Sequence, residues 1–116
     1  MATLATNQIT PAGIVDMAAV MVTAAGGGDK VRPGPGVFVE VNNGGGAGIT
    51  VTVDDPLSKS PVGAVQFNPD LSVAVGAGKR AAIGPLPAER FAGTADGLVA
   101  ITYSAVTSVT VGAFST

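Results

Sequence analysis

From Val37 onward the chain repeats one pattern: a branched or large aliphatic residue at every second position. Val37, Val39 and Val41 alternate with Phe38, Glu40 and Asn42, and Ile49, Val51 and Val53 alternate with Thr50, Thr52 and Asp54. Leu71, Val73 and Val75 follow the same rule, as do Val99, Ile101 and Tyr103, and then Val109, Val111 and Ala113. A strand points successive side chains to opposite faces, so this period predicts strands with one face on a core. Turn residues separate the runs: Asn42 to Gly48, Asp54-Asp55-Pro56, Asn68-Pro69-Asp70, Gly76-Ala77-Gly78 and Asp96-Gly97. Weaker strands are expected at Val62–Phe67 and Arg80–Ile83. Many short strands with almost no helical pattern predict an all-β fold, an antiparallel sandwich or jelly roll. The last run, Thr107 to Ala113, is uncharged on both faces and would be an aggregation hazard as a free edge. It is expected at the centre of a sheet or against a neighbouring subunit.

At 116 residues the chain holds one such domain. We divide it into an N-terminal arm, residues 1–25, and a sandwich, residues 26–116. The arm carries one charge, Asp16. Thr10 and Pro11 fit a helix start. The run Ile14, Val15, Met17, Ala18, Val20, Met21, Val22 has neither a helical nor a strand period, so an extended and a partly helical arm both stay open. Gly26-Gly27-Gly28 ends it, and Arg32-Pro33-Gly34-Pro35-Gly36 reads as a turn or polyproline-like loop.

Charge is scarce. Hydrophobic residues make up 47% of the chain and charged ones 12%, against roughly 25% in ordinary domains. Six bases and eight acids cannot cover the surface, so it must be Thr, Ser, Ala and Gly backbone or be covered by another chain. There is no His, Cys or Trp. A His/Cys zinc site, a Ser-His-Asp or Cys-His nucleophile and a disulfide framework are therefore excluded. The net charge of −2 argues against direct nucleic-acid binding. The uncharged run Gly97 to Thr116 is interrupted by Thr, Ser and Tyr and does not read as a membrane span, and the first residues lack the basic region of a signal peptide.

Individual motifs favour structure over chemistry. Gly44-Gly45-Gly46-Ala47-Gly48 precedes a strand, whereas a phosphate loop opens a helix, so it reads as a connection between strands. Asp54 and Asp55 are neighbours in an extended segment and point apart. Ser58-Lys59-Ser60 lies in a Pro-flanked polar loop, unlike the buried lysine that Ser/Lys chemistry needs. Asp29, Asp55, Asp70 and Asp96 fall in predicted loops without calcium-loop spacing and read as solvated. Lys79-Arg80 is the only basic doublet and suits a solvated edge or an inter-subunit ion pair. No catalytic, cofactor-binding or metal-binding residue is assigned, and no enzyme is expected.

From Gly26 onward an ordered set of pieces stands out. These are Gly26-Gly27-Gly28-Asp29, then Val39-Glu40-Val41-Asn42-Asn43-Gly44, then Ile49-Thr50-Val51-Thr52-Val53. Val75-Gly76-Ala77-Gly78-Lys79-Arg80 and Ile83-Gly84-Pro85-Leu86-Pro87 come next, and Ile101 to Val111 closes the set. In this order the chain resembles small virion structural proteins of tailed bacteriophages, of the capsid decoration (cement) type. The resemblance implies a β-sandwich on the capsid exterior, bound to the major capsid protein, as a homo-oligomer with a trimer favoured. It implies a physical role rather than a chemical one, in which adjacent capsomers are held together against internal pressure.

On that reading Ile9, Ile14, Val15, Met17, Val20, Met21 and Val22 are the partner-binding residues, carried by an arm that extends over a neighbour or adds a strand to its sheet. Deleting residues 2–24 is then expected to leave a folded core that no longer binds. Two alternatives remain: a head–tail connector or tail component, and a carbohydrate-binding module. The second is poorly equipped, with Tyr103, four Phe and no Trp to stack on sugars.

Overall fold

The computed structural model describes residues 2–55, 70–93 and 96–116. The expected strand at Val62–Phe67 and the Ser58-Lys59-Ser60 motif lie outside these residues. The alternating runs form strands over the stretches the period marks. They are β5 (Val37–Asn43), β6 (Ile49–Val53), β7 (Leu71–Val75), β8 (Arg80–Ile83), β9 (Val99–Tyr103) and β10 (Val109–Ser115). Four shorter strands precede them: β1 (Ala2–Thr3), β2 (Thr6–Gln8), β3 (Val22–Thr23) and β4 (Asp29–Val31). A single turn of 3-10 helix spans Ala18–Val20, and one short helix, α1, spans Ala88–Phe91.

The strands make an all-β sandwich of two sheets. One sheet runs β1-β4-β9-β6-β7, and the other runs β2-β10-β5-β8 with β3 also on β10. Neighbours are antiparallel except β1 on β4 and β2 on β10, which are parallel. The alternating aliphatics meet between the sheets. Val39, Val41, Val51, Val53, Val99, Ile101, Val109 and Val111 are all completely buried. Burying such a side chain contributes roughly 1.5–3 kcal/mol relative to exposure, so this layer is the main source of stability. Leu86 and Phe91 close it at the side of α1.

The uncharged β10 lies inside its sheet, as its composition requires. It pairs with β5 from Val109 to Ser115 on one side. On the other it pairs with β3 at Thr110 and Val111 and with β2 from Ala113 to Ser115. The N-terminal residues therefore differ from a free arm. Residues 2–8 cross from the edge of one sheet to the edge of the other, and Leu4, buried between, joins the core with Ala24. Their backbone groups do the holding: Leu4 N–H donates to Lys30 O at 2.7 Å, and Ala24 N–H to Val109 O at 3.0 Å. Deleting residues 2–24 would strip three strands and open an edge of β10, so the expectation of an intact core after that deletion does not hold. No helix starts at Pro11: Gly13 N–H bonds Thr10 O in a tight turn, and the only helical turn before β3 is the 3-10 one.

Asn43 ties one end of the sandwich together. It ends β5 and is fully buried. Its side-chain Nδ2 donates to Ala47 O (2.8 Å), Val75 O (3.1 Å) and Gly76 O (3.3 Å), and its Oδ1 accepts the Gly45 N–H (3.0 Å). One side chain thus fixes the glycine loop and the β7–β8 turn onto the end of β5.

Candidate functional site

The outer faces of the two sheets differ. On the first sheet Thr50, Thr52, Ser72, Ala74, Ala100 and Thr102 face outward in register, a hydroxyl-and-methyl surface. Lys30 stands beside Ala100 at its margin and pairs with Asp96. The Lys30 ammonium, and then the Leu98 N–H, hold the Asp96 carboxyl below its usual range. This face is how a chain with so little charge meets water: β-prone threonines replace ions.

The outer face of the second sheet is polar at one end, where Asn42, Glu40 and Arg80 lie in register, and apolar at the other, around Phe38, Ala82 and Phe114. Thr110, Gly112 and Phe114 occupy the outward positions of β10, where alternation alone would leave Phe114 in solvent. Phe114 is completely buried. It stacks on its cross-strand partner Phe38 with ring centroids 5.7 Å apart. Gly112 makes room for its cover. A Cβ there would lie 2.9 Å from Met21 Cγ and 3.0 Å from the Phe114 ring, so only glycine lets Met21 close over the strand. Arg80 reaches the same methionine, with a guanidinium nitrogen 3.7 Å from Met21 Sδ.

The seven residues assigned to partner binding divide accordingly. Met21 is turned onto its own sheet, and Ile14 and Met17 are half-buried. Ile9, Val15, Val20 and Val22 are the exposed large hydrophobics of the described residues, and Val15 is wholly in solvent. All four sit between β2 and the start of β3. The backbone bonds along residues 10–21 stay within that stretch, while its flanks are pinned, Ile9 N–H to Ser115 O at 2.7 Å and Val22 to Val111 in register. The stretch is an apolar loop tethered at both ends to β10.

On the outer face, at β5 and β8, lies a shallow groove of about 380 Å³ lined by Gly36, Phe38, Ala82, Gly84, Pro85 and Thr116. Gly84 is required for its shape: a Cβ would lie 2.6 Å from Phe38 Cβ. No charged side chain lines the groove. At the neighbouring end of β8, Arg80 donates from Nε to Glu40 Oε1 at 2.7 Å. The basic doublet thus has an intramolecular use for Arg80, which neutralises the rim. Sequence reasoning missed Phe38, Ala82, Pro85 and Phe114, because period-2 patterning assigns outward residues to solvent.

A second cleft, of about 420 Å³, runs under the crossing segment between Leu4, Val20, Val22 and Val111, with Asp29 in its wall. Asp29 opens β4 instead of lying in a loop, and it is buried. Its Oδ2 accepts the Tyr103 hydroxyl (2.8 Å) and the Ala25 N–H (3.1 Å). Burial first, then the bond to Asp29 and that carboxylate's charge, push the Tyr103 phenol well above its ordinary value. Asp55 is likewise buried, not solvated, with Arg90 Nε of α1 3.2 Å from its Oδ2. Its N–H donates to Asp70 Oδ1 at 2.9 Å. Asp29 and Asp55 are thus buried fastenings, whereas Asp96 stays exposed in its loop, as expected, beside Lys30, and among the described residues no three His, Cys, Asp or Glu side chains gather to hold a metal ion. Also among them, no helix is long and apolar enough to cross a membrane.

Compared with known proteins, the chain stands apart: no protein-family model, curated protein or solved structure matches it.

Proposed function

We propose that this chain is a non-enzymatic structural protein of a tailed-phage virion. On this reading it binds the outside of the capsid as a homo-oligomer, a trimer being favoured, and stabilises the shell. The observation that carries the assembly role is the clustering of exposed apolar side chains. Ile9, Val15 and Val20 lie on one tethered loop and Val22 at its end in β3, while among the described residues the first sheet's outer face is hydroxyl and methyl and Lys30, Arg80 and Arg90 are paired within the chain. Such a loop gains by being covered, and the sandwich gives it a rigid base. The resemblance of Gly26–Val111 to decoration proteins supplies the shell as the partner.

The mechanism is mechanical. Lattice pressure loads contacts between capsomers, and a rigid β-body seated across them adds buried apolar area that must be exposed before they part. Quantitative mass spectrometry of purified particles of the encoding phage tests the reading. A copy number on the scale of the shell's repeated lattice positions is expected. A single ring's worth at one vertex would move the chain to a connector or tail role, and absence from particles would overturn the virion reading.

A further inference from the structure

Asn43 is followed by Gly44, the one Asn-Gly pair in the chain. Each residue has its own reason to be there. The Asn43 amide fastens three carbonyls. Gly44 passes so close to the Thr107–Ser108 turn that a Cβ would lie 3.0 Å from Ser108 O. Side by side they make a dipeptide whose side-chain amide is open to attack by the next backbone nitrogen, because glycine has no Cβ to hinder that nitrogen and leaves the backbone free to turn.

We propose that Asn43 is a self-modification site that the fold keeps closed. Deamidation by Gly44 is held off in the finished sandwich and proceeds when this end opens. In the reaction the Gly44 nitrogen, having given its proton to hydroxide, attacks Asn43 Cγ. A bond forms between them, the Cγ–Nδ2 bond breaks, and Nδ2 leaves as ammonia after taking a proton from water. Solvent water then opens the cyclic imide at either carbonyl, leaving an aspartate or an isoaspartate linkage.

The native contacts oppose the first step. Gly44 N–H donates to Ser108 O at 2.9 Å, so the nitrogen that must be bared is engaged. The leaving Nδ2 sits among the carbonyls of Ala47, Val75 and Gly76, none of which can supply the proton that ammonia needs. Asn43 is fully buried while Gly44 is exposed, so hydroxide reaches the loop but not the amide. Asn43 also pairs in register with Val109, and bringing the Gly44 nitrogen up to Cγ turns the backbone out of that ladder. The Gly45 N–H on Oδ1, at 3.0 Å, favours a developing oxyanion, so protection rests on the other contacts.

The change runs one way. The product sets a carboxylate against three carbonyl oxygens, or an extra methylene in the backbone at the end of β5, and neither rebuilds the clamp. Chains that stay open are thereby lost to folding, while finished ones persist. This holds with or without a shell.

The test keeps the full chain at mildly alkaline pH, in buffer and in urea at one temperature, and samples it over days. Tandem mass spectrometry of tryptic peptides locates the change of NH2 to OH. Asn42, before Asn43, and Asn7, before Gln8, are internal controls. Asn43 is expected to convert at least about tenfold faster in urea than in buffer, since local opening is rarer than exposure in the unfolded chain. In urea it should also run ahead of Asn42, and Gly44→Ala should remove that lead there, where the variant need not fold. Chain deamidated in urea and returned to buffer is expected to recover less of the folded circular-dichroism signal than chain unfolded briefly, with Asn43→Asp made directly as a second reference. Equal rates at Asn43 in buffer and urea, no lead over Asn42 in urea, or full recovery by the modified chain overturns the proposal.

Discussion

Replacing Asn43 by Ala should cost the sandwich about 3 kcal/mol. The side chain has two amide hydrogens and meets three carbonyls, at 2.8, 3.1 and 3.3 Å, so one hydrogen is shared. Its oxygen adds one acceptor bond to the Gly45 N–H at 3.0 Å. That is three bonds' worth, each contributing roughly 1 kcal/mol net. The Val75 carbonyl is the most enclosed of the abandoned partners and adds a desolvation cost, while those of Ala47 and Gly76 can be reached by water. A domain of 116 residues unfolds with an entropy of roughly 0.24 kcal/mol/K, so about 3 kcal/mol lowers Tm by about 12 °C. Thermal and urea melts followed by far-ultraviolet circular dichroism read both quantities. Asn43→Asp separates hydrogen bonding from lost volume. It keeps the acceptor but turns a carboxylate oxygen toward three carbonyls, so it should lose at least as much at neutral pH and regain part in acid. A loss under about 1 kcal/mol for Asn43→Ala would refute the clamp.

Three further outcomes follow from the packing and the titration of single groups. Tyr103 is the chain's one tyrosine, so ultraviolet absorbance reads its ionisation alone. The folded protein should not titrate near pH 10, whereas the urea-unfolded chain should. Since the folded phenol stays protonated longer than the unfolded one, its stabilising effect is complete below about pH 10 and is lost above it, by up to about 1.4 kcal/mol per pH unit. Tyr103→Phe should flatten that alkaline slope; an unchanged slope in melts at graded pH would count against the burial of the hydroxyl. Phe114→Ala removes a completely buried ring outside the main core and should cost about 3–5 kcal/mol in a urea melt, despite its outward position on the strand. Replacing residues 11–19 by a short Gly-Ser linker should leave the melt within about 1 kcal/mol of the parent and abolish oligomers in gel filtration, since the gap along β10 is only about 13 Å. A collapsed fold in that variant would show that the loop is structural.

The sequence made six strands readable because β5 to β10 each repeat the two-residue period over at least four residues. It hid β1 to β4 because strands of two or three residues are too short to show a period. Their places are set by pairing with β4, β9 and β10, which are distant in the chain. Asn43 looked like any turn asparagine. Its role depends on loops that return near it from Ala47, Val75 and Gly76. The exposed apolar loop was legible as residues without a period and poor in charge, but Met21's turn onto Gly112 was not. That contact depends on a missing Cβ about ninety residues away, a relation no local pattern carries.

The pairing of Thr6 with Ala113 has a consequence for biosynthesis. Strands β2 and β3 must wait for a partner that emerges far later in synthesis, because they add to a strand supplied by residues 109–115. Closure is thus deferred until that strand has been made, and such long-range pairing makes folding slow relative to a helical protein of equal size. Until then Leu4, Val20 and Val22 have no β10 to rest against. Conditions that prolong this interval, such as heat or crowded overexpression, should favour inclusion bodies over finished sandwiches.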